Sequence, residues 1–267
     1  MLRAGIIGYG TIGKDSAEYI VNGNAGNVEL ASILVRDVSK INSALPPSIF
    51  CADPETFFSQ DLDIIIEAAG HHAVQLYGEK ALLSGSDVIV SSVGAFNDQA
   101  LLDKIIAAAK SQGRRLIIPS AAVGGLDRIA AGAVGPLNQV TLTTRKPPKA
   151  WLGTIVEQQV DLQTLKEPVC VFEGSARESS RLFPESVNVS AALSLAGIGL
   201  DQTEVKVFVD PTISRNVHEI FACGKFGEIR LQIQNTPSPH NPKTGYIVAM
   251  SIAKVLRNLS SSLVIGL

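Results

Sequence analysis

Cysteine is scarce: Cys51, Cys170 and Cys223 are the three in 267 residues. Their odd number and wide spacing exclude a disulfide framework and a paired metal knuckle, so buried or incidental thiols and no metal site are expected. Long apolar runs are lacking too. The longest, such as Ala191 to Leu200 and Ser261 to Leu267, stop well short of the roughly 20 residues that span a bilayer. There is no basic run and no basic stripe studded with aromatics, and the net charge is −2. Nothing electrostatic draws this chain to a polyanion, so neither nucleic acid nor a membrane is an expected partner. Gly5, Gly8, Gly10 and Gly13 interrupt the only stretch where a secretory signal would stand. A cytoplasmic location is expected. Internal repeats and low-complexity segments are also missing.

What is there describes a globular enzyme-sized chain. Apolar residues make up 46% and charged residues 18%, enough apolar surface for a sizeable core. The length exceeds what one compact core holds comfortably, so two domains are expected. Through about residue 120, short apolar runs (Leu2 to Ile7, Val28 to Val35, Ile64 to Ala69, Val88 to Ser91, Leu116 to Pro119) alternate with helical stretches (Lys14 to Val21, Pro54 to Ser59, Ala73 to Ser84, Asp98 to Gln112). That alternation predicts an α/β, doubly wound parallel sheet of the Rossmann type over 1–120. After residue 139 the runs lengthen: Val140 to Arg145, Val169 to Gly174, Val205 to Asp210, Val217 to Cys223 and Glu228 to Gln234. With helices at Leu126 to Gly135 and Pro184 to Leu195, they predict a second α+β domain over 121–244, its mixed or antiparallel sheet covered on one face. A last helix, within 245–267, is expected to return to the first domain.

Gly8-Tyr9-Gly10-Thr11-Ile12-Gly13 is a G-x-G-x-x-G between a predicted strand and helix. The first glycine allows the tight turn, the second lets backbone approach a pyrophosphate, and the third allows close helix packing, while the helix start offers amides and a positive dipole end. Gly8, Gly10, Thr11, Ile12 and Gly13 are therefore candidate dinucleotide ligands. The end of the second strand, Val35-Arg36-Asp37, carries a base that suits the 2′-phosphate of NADP and an acid that suits the ribose of NAD, so either cofactor is expected. Either residue also reads as a solvated loop charge. Ala68-Ala69-Gly70-His71-His72 ends another strand where open α/β sheets place their ligand, which adds Ala69 and Gly70. His71 and His72 read as lining that edge or as opening the next helix. The small residues Ser91 to Ala95 and Ser120 to Gly125 leave room for a nicotinamide ring.

His218 lies in a strand-like segment of the second domain. It reads either as a satisfied core histidine or as the group that moves protons beside a hydride transfer. His240, beside Pro239, reads as a surface residue.

Taken together these residues resemble the L-aspartate dehydrogenases, whose architecture is related to dihydrodipicolinate reductase. The resemblance runs over essentially the whole chain. It rests on Gly8 to Gly13, Glu67 to Gly70, Ser120 to Asp127, Thr144 to Pro148, Asn188 to Leu195, the His218 segment and Asn241 to Thr244. It implies NAD(P)-dependent oxidation of L-aspartate to iminoaspartate, which hydrolyses to oxaloacetate and ammonia or feeds quinolinate formation in NAD biosynthesis. It puts the family's active-site histidine on His218 and further cofactor contacts on Ala122 and Asn188, and it implies a homodimer built through the second domain. Asn188 also reads as the N-cap of the following helix. A dicarboxylate needs cations or amide donors, for which Lys243, Thr244 and Arg145 are the candidates. Two other readings stay open: a different amino-acid or imine oxidoreductase of the same architecture, and a non-catalytic dinucleotide-binding sensor.

Overall fold

The computed structural model describes residues 1–183, 186–239, 241 and 244–266. It divides into two compact units, Met1–Ala121 with Ser238–Leu267, and Ala122–Pro237.

The first unit contains strands β1 (Leu2–Ile7), β2 (Val28–Leu34), β3 (Phe50–Cys51), β4 (Ile64–Glu67), β5 (Asp87–Val90) and β6 (Leu116–Ile117), with helices α1 (Thr11–Val21), α2 (Pro54–Phe58), α3 (His71–Leu83) and α4 (Gln99–Gln112). The strands pair in the order β3-β2-β1-β4-β5-β6, all parallel. The order reverses between β1 and β4, so the chain ends of these two strands flank the switch point of a doubly wound sheet. β4 reads Ile-Ile-Ile-Glu and all four residues are buried, as a central parallel strand covered on both faces requires.

The second unit contains α5 (Leu126–Gly132), β7 (Leu137–Lys146), β8 (Val169–Ser175), α6 (Ala176–Leu182), α7 (Val187–Ala196), β9 (Glu204–Val209), β10 (Val217–Gly224) and β11 (Gly227–Gln234). The sheet order is β11-β10-β7-β9-β8; β7 and β9 run parallel and the other pairs antiparallel. This is the mixed sheet expected. Period-2 alternation buries Val140, Leu142, Thr144 and Lys146 on one side of β7 and leaves Thr141, Thr143 and Arg145 on the other. α7, with Ala191 and Leu193 buried, packs against β7 on the buried side.

The last helix, α8 (Ile247–Ser260), belongs to the first unit. Ile252, Ala253 and Leu256 join Ala4, Ile6, Ala17 and Ile20 in one apolar cluster, and Ser260 Oγ accepts the Asn27 N–H at 3.1 Å. Among the described residues no helix is long and apolar enough to cross a membrane.

Several local expectations differ from what is observed. β6 is a two-residue strand that stops before Pro119, and the short strand β3 has no counterpart among the expected runs. Nor has α6, although Ser175 and Glu178 form a reciprocal capping box that the spacing S-x-x-E announces. The expected helix from Pro184 opens among residues outside those described and is observed from Val187. Cys170 is exposed and Cys51 and Cys223 are half-buried, so burial does not describe the thiols.

Candidate active site

α1 begins directly after Gly10, three residues earlier than its apolar pattern suggests, and Gly10 is its N-cap with no side-chain hydrogen bond. By contrast Asp53 and Asp98 cap α2 and α4 with their carboxylates. A glycine cap leaves the first amides of α1 without a side-chain acceptor, which is what an anionic ligand at a helix start needs. Gly8 has φ +96°, and a Cβ there would stand 2.7 Å from Ala69 Cβ. A Cβ on Gly13 would stand 2.2 Å from the Gly8 carbonyl oxygen, so the third glycine is dictated by packing of the turn on itself. Gly10 is different. It is exposed, its φ of −79° suits any residue, and a Cβ there meets nothing within 4 Å. Neither backbone strain nor packing demands a glycine at this position, where the N-cap role would suit Ser, Thr, Asp or Asn at least as well; a pyrophosphate lying on the backbone does. The residues present therefore fit a dinucleotide. Thr11 and Ile12 are half-buried in the first turn of α1, beside an open groove of about 680 Å³ lined by Tyr9, Lys14 and Ser43 among others.

At the end of β2, Arg36 is exposed. Asp37 caps a short 3₁₀ turn: Ser39 N–H and Ser39 Oγ donate to its carboxylate at 3.0 and 2.6 Å, and Lys40 Nζ is 3.1 Å away. The Ser39 hydroxyl, then Lys40, hold its pKa below the ordinary value. At the end of β4, Ala69 is exposed and Gly70 is the N-cap of α3, with φ +108°. His71 and His72 are the first two residues of that helix. Ala121, at φ 48°, is the one described non-glycine with positive φ, and its N–H donates to Ser251 Oγ of α8 at 2.9 Å.

In the second unit His218 sits on β10 opposite Thr144 of β7, and its Nδ1 lies 3.1 Å from Thr144 Oγ1. His218 is 7% exposed. Burial, then the positive charge of Lys146, pushes its pKa down to about 4, so the ring is neutral at pH 7. Lys146 is buried on the same side of β7, with its Nζ 4.7 Å from the centre of the Trp151 ring. Thr144 and Lys146 lie in the Thr144 to Pro148 motif, in which Arg145 alone has a role assigned from the sequence; strand alternation from Val140 and Leu142 is the signal that points to the other two. Arg145 projects from the opposite face of β7. Its guanidinium pairs with Asp210 at 3.4 Å and Glu219 at 3.3 Å and lies 4.5 Å from the Phe208 ring, and the fold does not bring it to His218. Asn188 is the second residue of α7 and is exposed; Ser186 holds the cap position, so Asn188 is not the N-cap. The Ala122 carbonyl accepts Asn235 Nδ2 at 2.7 Å. Thr244 is half-buried, with its backbone N–H donating to the Asn241 carbonyl at 2.9 Å. Lys243 and His240 lie outside the described residues.

The His218 shift has a measurable consequence. Its folded pKa lies below the unfolded value, so the unfolded chain binds the extra proton between pH 6.5 and about 4, and stability falls as pH is lowered through that window. The loss attributable to His218 is roughly 3 kcal/mol. In denaturant melts from pH 7 to 4, His218→Gln should lose that part of the slope; equal slopes in both proteins would contradict the shift.

Comparison with known proteins matches the chain in two parts. Residues 8–119 match the family model described as homoserine dehydrogenase, NAD binding domain, and residues 127–259 match aspartate dehydrogenase, C-terminal. The chain is 38% identical to an L-aspartate dehydrogenase of Ralstonia pickettii over 97% of each, and 39% identical to one of Methanosarcina acetivorans over 100% of each. The crystal structure of aspartate dehydrogenase from Thermotoga maritima superposes with a TM-score of 0.79 at 28% identity, covering 100% of both chains. A dihydrodipicolinate reductase from Paenisporosarcina sp. TG-14 shares the fold, with a TM-score of 0.55 at 14% identity over 97% of this chain and 95% of that one. With both family models and full-length similarity pointing the same way, the chain belongs to the L-aspartate dehydrogenase family.

Proposed function

We propose that this protein oxidises L-aspartate to iminoaspartate with NAD or NADP, using His218 as the proton-transferring group. The observation that carries this reading is a buried histidine held on a sheet face by Thr144, in a chain whose relatives are named L-aspartate dehydrogenases. The bound dinucleotide supplies the hydride acceptor. The chain's own residues do the rest. If His218 Nδ1–H donates to Thr144 Oγ1, Nε2 keeps its lone pair and is the nitrogen that takes a proton. The substrate amine must be neutral when the Cα–H bond breaks, and water must later add to the imine carbon and give up a proton, so one base serves both steps. Burial, then the charge of Lys146, holds His218 unprotonated before substrate arrives, and two incoming carboxylates oppose that charge and raise the ring's proton affinity.

Gly8, Gly10, Thr11, Ile12 and Gly13 seat the pyrophosphate in this reading, with Ala69, Gly70, Ala122 and Asn188 as further cofactor contacts. Lys243 and Thr244 remain the candidates for the substrate carboxylates, whereas Arg145 faces away from His218 across β7. Its guanidinium is engaged by Asp210 and Glu219 instead. The capping role of Asp37 and the exposure of Arg36 favour NADP as an accepted cofactor alongside NAD. Arg36→Ala is expected to raise the KM for NADP about tenfold while moving that for NAD less than about twofold, as loss of one exposed phosphate contact implies. Equal KM changes for both would remove Arg36 from the 2′-phosphate.

The finer setting is also part of the proposal. The reaction is placed in the cytoplasm, with iminoaspartate hydrolysing to oxaloacetate and ammonia or entering pyridine nucleotide biosynthesis. Two chains pair as a homodimer through the second unit, whose open sheet face carries Thr141, Thr143, Phe221 and Arg230. The direct test is reduced-nicotinamide absorbance with both cofactors and a panel of L-aspartate, L-homoserine and other amino acids. Turnover confined to L-aspartate is expected. Turnover of another amino acid in its place would shift the assignment to a different substrate of the same architecture, and cofactor binding without any turnover would favour a sensor.

A further inference from the structure

Glu67, the last residue of β4, ends an otherwise apolar strand and is 2% exposed. Its Oε1 accepts the N–H groups of Ala69 and Gly70, each at 2.8 Å, and the Ser92 hydroxyl at 3.0 Å. Its Oε2 accepts the Ser92 N–H at 3.0 Å. Its backbone carbonyl accepts the Ser91 hydroxyl at 2.8 Å. Every partner of the side chain is a donor, so the site calls for an acceptor at both oxygens. A glutamine would turn an NH₂ toward donors whichever way it faced.

These bonds tie the turn after β4 to the turn after β5. The first of these turns is also the wall behind the glycine turn, because a Cβ on Gly8 would meet Ala69 Cβ at 2.7 Å and the Ala68 carbonyl oxygen at 2.9 Å. A doubly wound sheet seats one mononucleotide on each half, with the adenosine ribose on the β2 side of the switch point and the nicotinamide on the β4 side. Glu67 thus governs backbone on the nicotinamide side without reaching the ligand itself.

We propose that Glu67 is a positioning residue for the nicotinamide half of the dinucleotide, clamping the 68–70 and 91–92 turns into the wall against which that half lies. This inference rests on the dinucleotide reading above. The test compares wild type and Glu67→Gln in the full chain, with NADH, NADPH and ADP as ligands, by fluorescence and calorimetric titration. Losing charge-assisted acceptance should weaken binding of the favoured reduced dinucleotide by about tenfold or more while changing that of ADP by less than about twofold. In steady state the dinucleotide KM should rise by a similar factor with kcat at saturation falling less than about threefold. A purely structural role would weaken ADP and dinucleotide alike, and that result, or unchanged dinucleotide affinity, overturns the inference. If Glu67→Gln does not fold, Ser92→Ala removes only the hydroxyl bond; about threefold weaker dinucleotide binding with unchanged ADP supports the clamp, and no change overturns it. Wild type that binds neither NADH nor NADPH would instead overturn the dinucleotide reading itself.

Discussion

Replacing His218 by alanine should lower kcat by about a hundredfold to ten-thousandfold while leaving the dinucleotide Kd within about twofold, the range for loss of a positioned acid–base group. The direction follows from placement. His218 is on β10 of the second unit, whereas the glycine turn is in the first. Removing the ring also removes a buried polar group whose partner is one hydroxyl, so Thr144 Oγ1 is left to find another acceptor or donor. Folded protein is therefore checked by circular dichroism before kinetics are compared. Turnover of L-aspartate at near wild-type rates by a folded His218→Ala protein would remove the base from the mechanism.

Gly10→Val should abolish dinucleotide binding, raising Kd at least about a hundredfold, with a loss of stability of about 1 kcal/mol from an apolar residue at the N-cap. The asymmetry between the three glycines makes this a clean experiment. At Gly13 a side chain collides with the Gly8 carbonyl, and at Gly8 the positive φ and Ala69 both resist one, so failure there reports on the fold as much as on the ligand. At Gly10 the extended backbone and the open space around a Cβ accept valine in the free protein. What valine occupies is the approach to the α1 amides. Isothermal titration with NAD and NADP measures the loss, and a thermal melt of the same sample shows whether the turn itself survived. Undiminished binding would mean that the pyrophosphate does not lie on this turn.

Much of the fold is legible in the sequence for identifiable reasons. The parallel sheet announces itself because strands buried on both faces, such as Ile64 to Glu67, read as unbroken apolar runs between helical stretches. The glycine turn is legible because its spacing and its strand-to-helix context coincide. The ends of elements are less so. α1 starts at Thr11 because a glycine can hold the cap position without a side-chain bond, and composition alone places the start later. β6 is cut to two residues ahead of Pro119, which has no N–H to give a neighbouring strand.

The site is legible in part. His218 stands out as a residue type, but the residues that set its protonation do not. Thr144 and Lys146 share its face through the alternation of β7, while Arg145, the more conspicuous cation, points the other way into Asp210 and Glu219. Counting by two from Val140 separates them. Glu67 is hidden in another way: it lies within the Ile64 to Ala69 run and the Glu67 to Gly70 motif, but nothing in the sequence gives it a role until its four donors are seen.

The central claim, that hydride leaves Cα of L-aspartate for a dinucleotide bound to this chain, is tested most directly with L-aspartate deuterated at Cα. Incubated with wild-type protein and NAD or NADP, it should yield reduced dinucleotide carrying the deuterium, together with ammonia and oxaloacetate. Ammonia and oxaloacetate without deuterium in the dinucleotide, or no reduced dinucleotide with either cofactor, would contradict it.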